Sequence, residues 1–310
     1  MTNRTAIANF LLTLLGAVQG ADVTSGVNLT TTNTNSINNN DDNGNFKLNI
    51  VHINDHHSHL GEETFLIPES KLPSVEKDKD RRVFIGGFPR LVRMFRQAKE
   101  ASPNTLKLHA GDALIGTAFF RLYGNDPDVA MMHEVCFDAF NLGNHEFDYG
   151  DAQLADFLRK LIAADSPCQN TRVLSANLVP GNSSELHPLH RDGYIAPFTI
   201  RNFENGHRVA IIGINIRNKT LDNSSPDVGT NYLDEKQAIR NQVAALTKLG
   251  INKIVLLSHM GYTRDIRWMA KIEGVDVGTC TFVYYEMIYA CWTGVVRQVK
   301  CRSTLLLGGC

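Results

Sequence analysis

The sequence carries almost no net charge: 31 Lys and Arg against 32 Asp and Glu leave a formal −1 over 310 residues. Such a balance sets up no strong field to draw nucleic acid or an anionic membrane surface. It has no P-loop and no G-x-G-x-x-G, so neither glycine-rich phosphate cradle is present. No internal repeat is visible, which sets aside solenoids and propellers. The six cysteines (Cys136, Cys168, Cys280, Cys291, Cys301 and Cys310) contain no C-x-x-C pair, which argues against a structural zinc knot. Four of them fall after residue 279, a local shift in composition. What remains is ordinary: 43% hydrophobic and 20% charged residues, with ample length for a large core.

The N-terminus reads MTNRTAIANFLLTLLGAVQGADV, with Arg4, an apolar stretch from Ala6 to Val18, then the small residues Gly20 and Ala21. This is the pattern of a secretory signal peptide, placed at residues 1–21, and it is too short to span a membrane. Residues 22–45 are dominated by Asn, Thr, Ser, Asp and Gly and are expected to form a solvated, disordered linker without a core. N-x-S/T sequons at Asn28, Asn182, Asn218 and Asn223 agree with a secreted glycoprotein.

From residue 46 short apolar runs alternate with helix-like periods. Strands are expected near 47–53, 105–109, 138–141, 172–176, 194–200, 208–214 and 252–258, and helices near 88–100, 127–135, 151–163 and 232–248. This alternation predicts an α/β fold with a layered, mostly buried sheet. Ligands of such sheets bind outside the carboxyl ends of the strands. Four expected strand ends carry polar loops: HINDHHSH, HAGD, NLGNHEFD and SHMG.

The first of these loops lies in VHINDHHSHL, residues 51–60, with four histidines and one aspartate. A period of two places Asp55 and His57 on one side of an extended backbone, with His56 pointing away and His52 further back. His52 and His56 are therefore expected to be structural, while His59 is left open. Asp112 follows Gly111, where a small residue lets the backbone approach a bound ion. Asn144, His145, Glu146 and Asp148 crowd a Gly-flanked turn, where an amide oxygen can ligate a hard cation and a carboxylate can orient a general-acid histidine. His259 ends another apolar strand. Two half-sites rich in oxygen and histidine donors that share one aspartate suit a pair of cations clamping the oxygens of a phosphoryl displacement.

The series N-D-x-H, G-D, G-N-H-E-F-D and S-H resembles the calcineurin-like metallophosphoesterases, and within them the 5′-nucleotidase family. GNHEFDYG is the most specific of these motifs, and IGGFPRLVRM (residues 85–94) adds to the likeness. The resemblance covers roughly residues 47–276, within a catalytic domain placed at 46–277. It implies a four-layer α/β/β/α sandwich and a secreted hydrolase that removes phosphate from nucleotides or other phosphoesters with a metal-activated water. Two divalent cations are implied, Zn, Mn or Fe by donor type. Asp55 and His57 would ligate the first, Asp112 would bridge, and Asn144 and His259 would ligate the second. His145, oriented by Asp148, would stabilise the transition state and protonate the leaving group. No residue is assigned to the substrate.

The likeness stops abruptly. The family places a G-H-x-H turn shortly after the S-H segment, one histidine completing each metal, yet no histidine follows His259. A further domain of the family, with aromatic and arginine residues that hold the nucleotide, has no counterpart here. The fold is therefore expected to be incomplete at its C-terminal end. Residues 278–310 are read as an atypical tail that is not native coding sequence, for example intron read-through. A membrane anchor at 280–296 is countered by Glu286 and by the shortness of the run. A catalytically inactive relative of the family is the alternative reading.

Overall fold

The apolar alternation expected at 47–53 forms strand β1 (Asn49–Ile53) in the computed structural model, which describes residues 46–67, 81–203, 206–268, 271–279, 290–291 and 304–305. The expected signal peptide, the linker and most of the tail lie outside the described residues. After β1 come the paired strands β2 (Glu62–Ile67) and β3 (Arg81–Gly86), α1 (Phe88–Ala101), β4 (Thr105–His109), α2 (Ala118–Tyr123), α3 (Asp126–Val135) and β5 (Ala139–Asn141). A short 3-10 turn (His145–Phe147) leads to α4 (Gly150–Leu161), β6 (Arg172–Leu174), β7 (Leu178–Val179), α5 (Leu186–Arg191), β8 (Ile195–Ala196) and β9 (Phe198–Asn202). The chain continues through β10 (Arg208–Asn215), α6 (Arg217–Asn223), β11 (Asn231–Tyr232), α7 (Glu235–Lys248), β12 (Ile254–His259), α8 (Tyr262–Arg267) and β13 (Val277–Thr279).

Among the described residues, two larger sheets dominate. One is parallel throughout, in the order β1-β4-β5-β6-β8. The other runs β13-β12-β10-β9, parallel except for β9. The period of two sorts their side chains between layers. Ile50, Leu106, Leu108, Ala139 and Leu174 of the first sheet meet Val209, Ile211, Val255 and Leu257 of the second. The alternate residues Val51, Ile53, Phe140 and Val173 pack under α1, α3 and α4. Ala210, Ile212, Ile214, Ile254 and Leu256 pack under α7. The result is helix, sheet, sheet, helix, the four-layer α/β arrangement expected from the motifs.

Helix registers follow from spacing. In α1, Phe88, Leu91, Val92 and Phe95 recur at intervals of three and four and form its buried face, with a proline in the first turn. Asp234 caps α7 by accepting the Gln237 backbone N–H, and Ala238, Ile239, Val243 and Leu246 face the sheet.

The strand expected at 194–200 is two strands in different sheets, β8 and β9, separated by Pro197. Proline has no N–H for a ladder, so it breaks the run and lets the chain change sheets. The β2–β3 pair was not foreseen. Among the described residues, Cys136 and Cys168 form a disulfide that joins the end of α3 to the loop before β6.

Two buried asparagines stitch the sheets together at one edge. Asn141 Nδ2 donates to Ile214 O at 3.0 Å, and Asn215 Nδ2 donates to Gly143 O at 2.9 Å. The carboxyl end of β5 is thereby held against that of β10. Truncation of the fully buried Leu246 on α7 should open a cavity far from that edge. Leu246→Ala is expected to lower unfolding free energy by about 2–5 kcal/mol, measured by urea denaturation.

Candidate metal centre

Four strand-end loops meet where the sheets are stitched. Asp55 and His57 lie in the loop after β1, Asp112 after β4, Asn144, His145 and Asp148 after β5, and His259 ends β12. Asp55, Asp112 and His259 present donor atoms within 4.8 Å of one another, and so do His57, Asp112 and His145. Both groups share Asp112. Asp55 and His57, which the resemblance places on one cation, fall in different groups that meet at Asp112.

The three histidines are set in the same way. His259 Nδ1 donates to Ala110 O at 2.7 Å, His57 Nδ1 to Leu114 O at 3.2 Å, and His145 Nδ1 to Asp148 Oδ2 at 2.7 Å. An acceptor on Nδ1 fixes the tautomer and leaves Nε2 as the nitrogen turned to the site. His259 Nε2 lies 2.9 Å from Asp112 Oδ2, and His57 Nε2 lies 3.9 Å from Asp112 Oδ2 and from Asp55 Oδ1. The His57 and His145 rings meet edge to face at 5.0 Å.

Asn144 is buried, and neither polar atom of its side chain has a partner among the described residues. A buried amide without partners is costly unless something outside the protein satisfies it. Imidazole nitrogens, carboxylates and one free amide oxygen make a mixed donor set that fits a divalent cation.

Charge in the site is concentrated and unequal. Burial alone would raise the Asp112 carboxyl, but the charge of His259 and the bond to it hold that carboxyl well below the usual range. Burial works against a proton on His259, yet Asp112 prevails and pushes it up to about 10. Burial raises Asp55, with His259 opposing. The hydrogen bond to Asp148 raises His145.

Glu146 has a role that the sequence reading did not assign. Fully buried, it accepts the backbone N–H groups of Asp112 at 2.8 Å, Ala113 at 2.6 Å and Gly143 at 2.6 Å, with Leu114 at 3.4 Å. One carboxylate thus ties the Asp112 loop to the turn that carries Asn144 and His145. Gly111 and Gly143 permit the contact: a Cβ on Gly111, at φ +102°, would stand 2.6 Å from Gly143 N. The only hint in the sequence was the position of Glu146 inside a crowded turn.

His52 and His56 are buried away from the cluster. Burial lowers His52 to about 4, so it is neutral. His59 bonds to His57 O through Nδ1 at 2.9 Å and belongs to neither close group. The parity expected of Asp55 and His57 holds for another reason, since the backbone there is not extended. Asp55 and His57 have φ of 51° and 46°.

Residues 48–277 match the calcineurin-like phosphoesterase family. A probable 5′-nucleotidase of Treponema pallidum is 39% identical over 234 residues, covering 76% of this chain and 36% of that protein. A snake venom 5′-nucleotidase of Crotalus adamanteus is 34% identical, with 78% and 38% covered. Among solved structures, the NAD nucleotidase of Haemophilus influenzae superposes with a TM-score of 0.64 at 37% identity, covering 74% of this chain and 42% of that one. The chain therefore spans well under half the length of these relatives.

Loss of the Glu146 carboxylate should leave several buried N–H groups unpaired at once. Glu146→Ala is expected to cost about 3 kcal/mol or more of stability by urea denaturation. Stability within about 0.5 kcal/mol of wild type would refute the tie between the loops.

Proposed function

This chain belongs to the calcineurin-like phosphoesterase family, and from that premise we propose that it is a secreted, 5′-nucleotidase-like hydrolase that removes phosphate from nucleotides with two divalent cations. The observation that carries this reading is the gathering of Asp55, His57, His145 and His259 donor atoms around Asp112, beside an unpaired Asn144. In this proposal Asp55 and His57 would hold one cation, Asn144 and His259 the other, and Asp112 would serve both. Bound there, the cations would neutralise phosphoryl oxygens and acidify water.

The protein's own part follows from the anchoring of each ring. Water oxygen attacks phosphorus, the bond from phosphorus to the nucleoside 5′ oxygen breaks, and His145 Nε2 gives its proton to that oxygen. Asp148 holds the His145 ring through Nδ1, so the Nε2–H stays aimed outward. Products are inorganic phosphate and a nucleoside. Nucleotides are the substrate class because the relatives are named for them.

Secretion is supported by the signal-like N-terminus, by the Cys136–Cys168 bond and by the exposure of Asn182, Asn218 and Asn223. Expressed through a eukaryotic secretory route, the protein should lose mass on N-glycosidase treatment. No loss would remove the glycoprotein part of the proposal.

Phosphate release from AMP should require added Mn²⁺ or Zn²⁺ and stop with EDTA. His145→Ala should lower kcat/KM about 10²–10⁴-fold. Full activity in that variant would rule His145 out as the acid. Inactive wild-type protein would favour the second reading, an inactive relative, which the lack of any histidine after His259 supports.

A further inference from the structure

Under the candidate ligands runs a line of hydrogen bonds that the roles above leave unused. The Gly111 backbone N–H donates to His109 Nδ1 at 3.1 Å. His109 Nε2 and His56 Nδ1 are 2.8 Å apart, and His56 Nε2 lies 3.0 Å from Asp128 Oδ1 on α3. The Ser58 hydroxyl donates to the other Asp128 oxygen at 2.8 Å. All four side chains are buried. Phe88 stands edge to face on His56, and Phe137 and Phe140 on His109, walling the line with apolar rings.

The line has one direction. A backbone N–H can only donate, so His109 Nδ1 carries no proton and its neutral ring is protonated at Nε2. That Nε2–H faces His56 Nδ1, which must accept. His56 is then protonated at Nε2 and donates to Asp128. Each link holds one proton and both rings are neutral.

We infer that the line Asp128–His56–His109–Gly111 is a positioning device for the two metal-bearing loops, an inference that rests on the metal-centre reading above. His56 sits between Asp55 and His57, and Gly111 immediately precedes Asp112. Asp55, His57, Ser58 and Asp112 all take left-handed backbone, with φ of 51°, 46°, 53° and 56°. Side chains other than glycine avoid that region, and it persists only where surroundings over-determine it. The loops are first locked to each other: Asp55 N donates to Gly111 O, His57 N to Asp112 O and Ser58 N to Ala113 O. The imidazole line then anchors the locked pair to α3. Asp128 itself belongs to neither donor group, so it acts through His56 and Ser58.

The test is Mn²⁺ affinity by titration calorimetry on the full chain, with the histidine tautomers read separately by long-range ¹⁵N–¹H NMR. Asp128→Asn is expected to weaken Mn²⁺ binding about 10–100-fold. Ser58→Ala, which removes one arm only, should weaken it less. Leu246→Ala, destabilised but remote, should bind as wild type does. Nε2–H tautomers are expected on both His56 and His109. Wild-type affinity in folded Asp128→Asn, or an Nδ1–H on His109, overturns the inference. Should Asp128→Asn not fold, Ser58→Ala with wild-type affinity overturns it. Binding abolished by Asp112→Asn but untouched by Asp128→Asn sinks the positioning role alone. A wild-type chain that binds no Mn²⁺ sinks the metal reading and the inference with it.

Discussion

The Asp112 carboxylate is held from two sides. His259 Nε2 approaches one oxygen at 2.9 Å, and the His145 backbone N–H donates to the other at 2.8 Å. Its own backbone N–H goes to Glu146, a second buried carboxylate. Two acids buried this close raise each other unless compensated. Glu146 is compensated by the charge of His259 and by backbone N–H groups, whereas Asp112 also takes a direct bond from that histidine of the other sheet. Removing charge from the His259 side would leave Asp112 buried without its closest charged partner, which costs more than removing both groups together. A cation in the same place would take over that compensation and free His259 to turn its lone pair inward.

Getting so many polar groups into one place depends on the backbone as much as on side chains. Gly111 and Gly143 bring two loops closer than any Cβ allows. Asn141 and Asn215 spend side-chain N–H groups on carbonyls of the facing sheet or its loops. The apolar faces between the sheets, Ile50 and Leu108 against Ile211 and Leu257, set the spacing that these bonds then register.

Periodicity made most of the framework legible. Expected strands at 105–109 and 208–214 and helices at 88–100 and 127–135 are found with bounds shifted by a residue or so. The failure at 194–200 turned on Pro197, whose effect is to divide a run between sheets, and a window of apolar residues does not register that. Candidate ligands were legible because strand-end Asp and His carry an obvious chemistry. Glu146 and Asp128 were not, since their work is to accept hydrogen bonds from residues up to 72 positions away, and no spacing rule encodes that. Asp55 and His57 show a reading reached through the wrong geometry: period-two reasoning supposed an extended chain where the backbone is left-handed.

The bond from His259 Nδ1 to Ala110 O joins groups 149 residues apart in the chain, and it crosses from one sheet to the other. Contacts of such separation form late, after the entropy of closing the intervening loop has been met. The first sheet can therefore gather Asp55, His57, Asp112, Asn144 and His145 while it still lacks His259. On that order of events, the cluster would be a partial claw until the second sheet docks. A cation that prefers the closed claw pulls on the docking step itself, so its concentration sets how firmly the two halves of the molecule are latched.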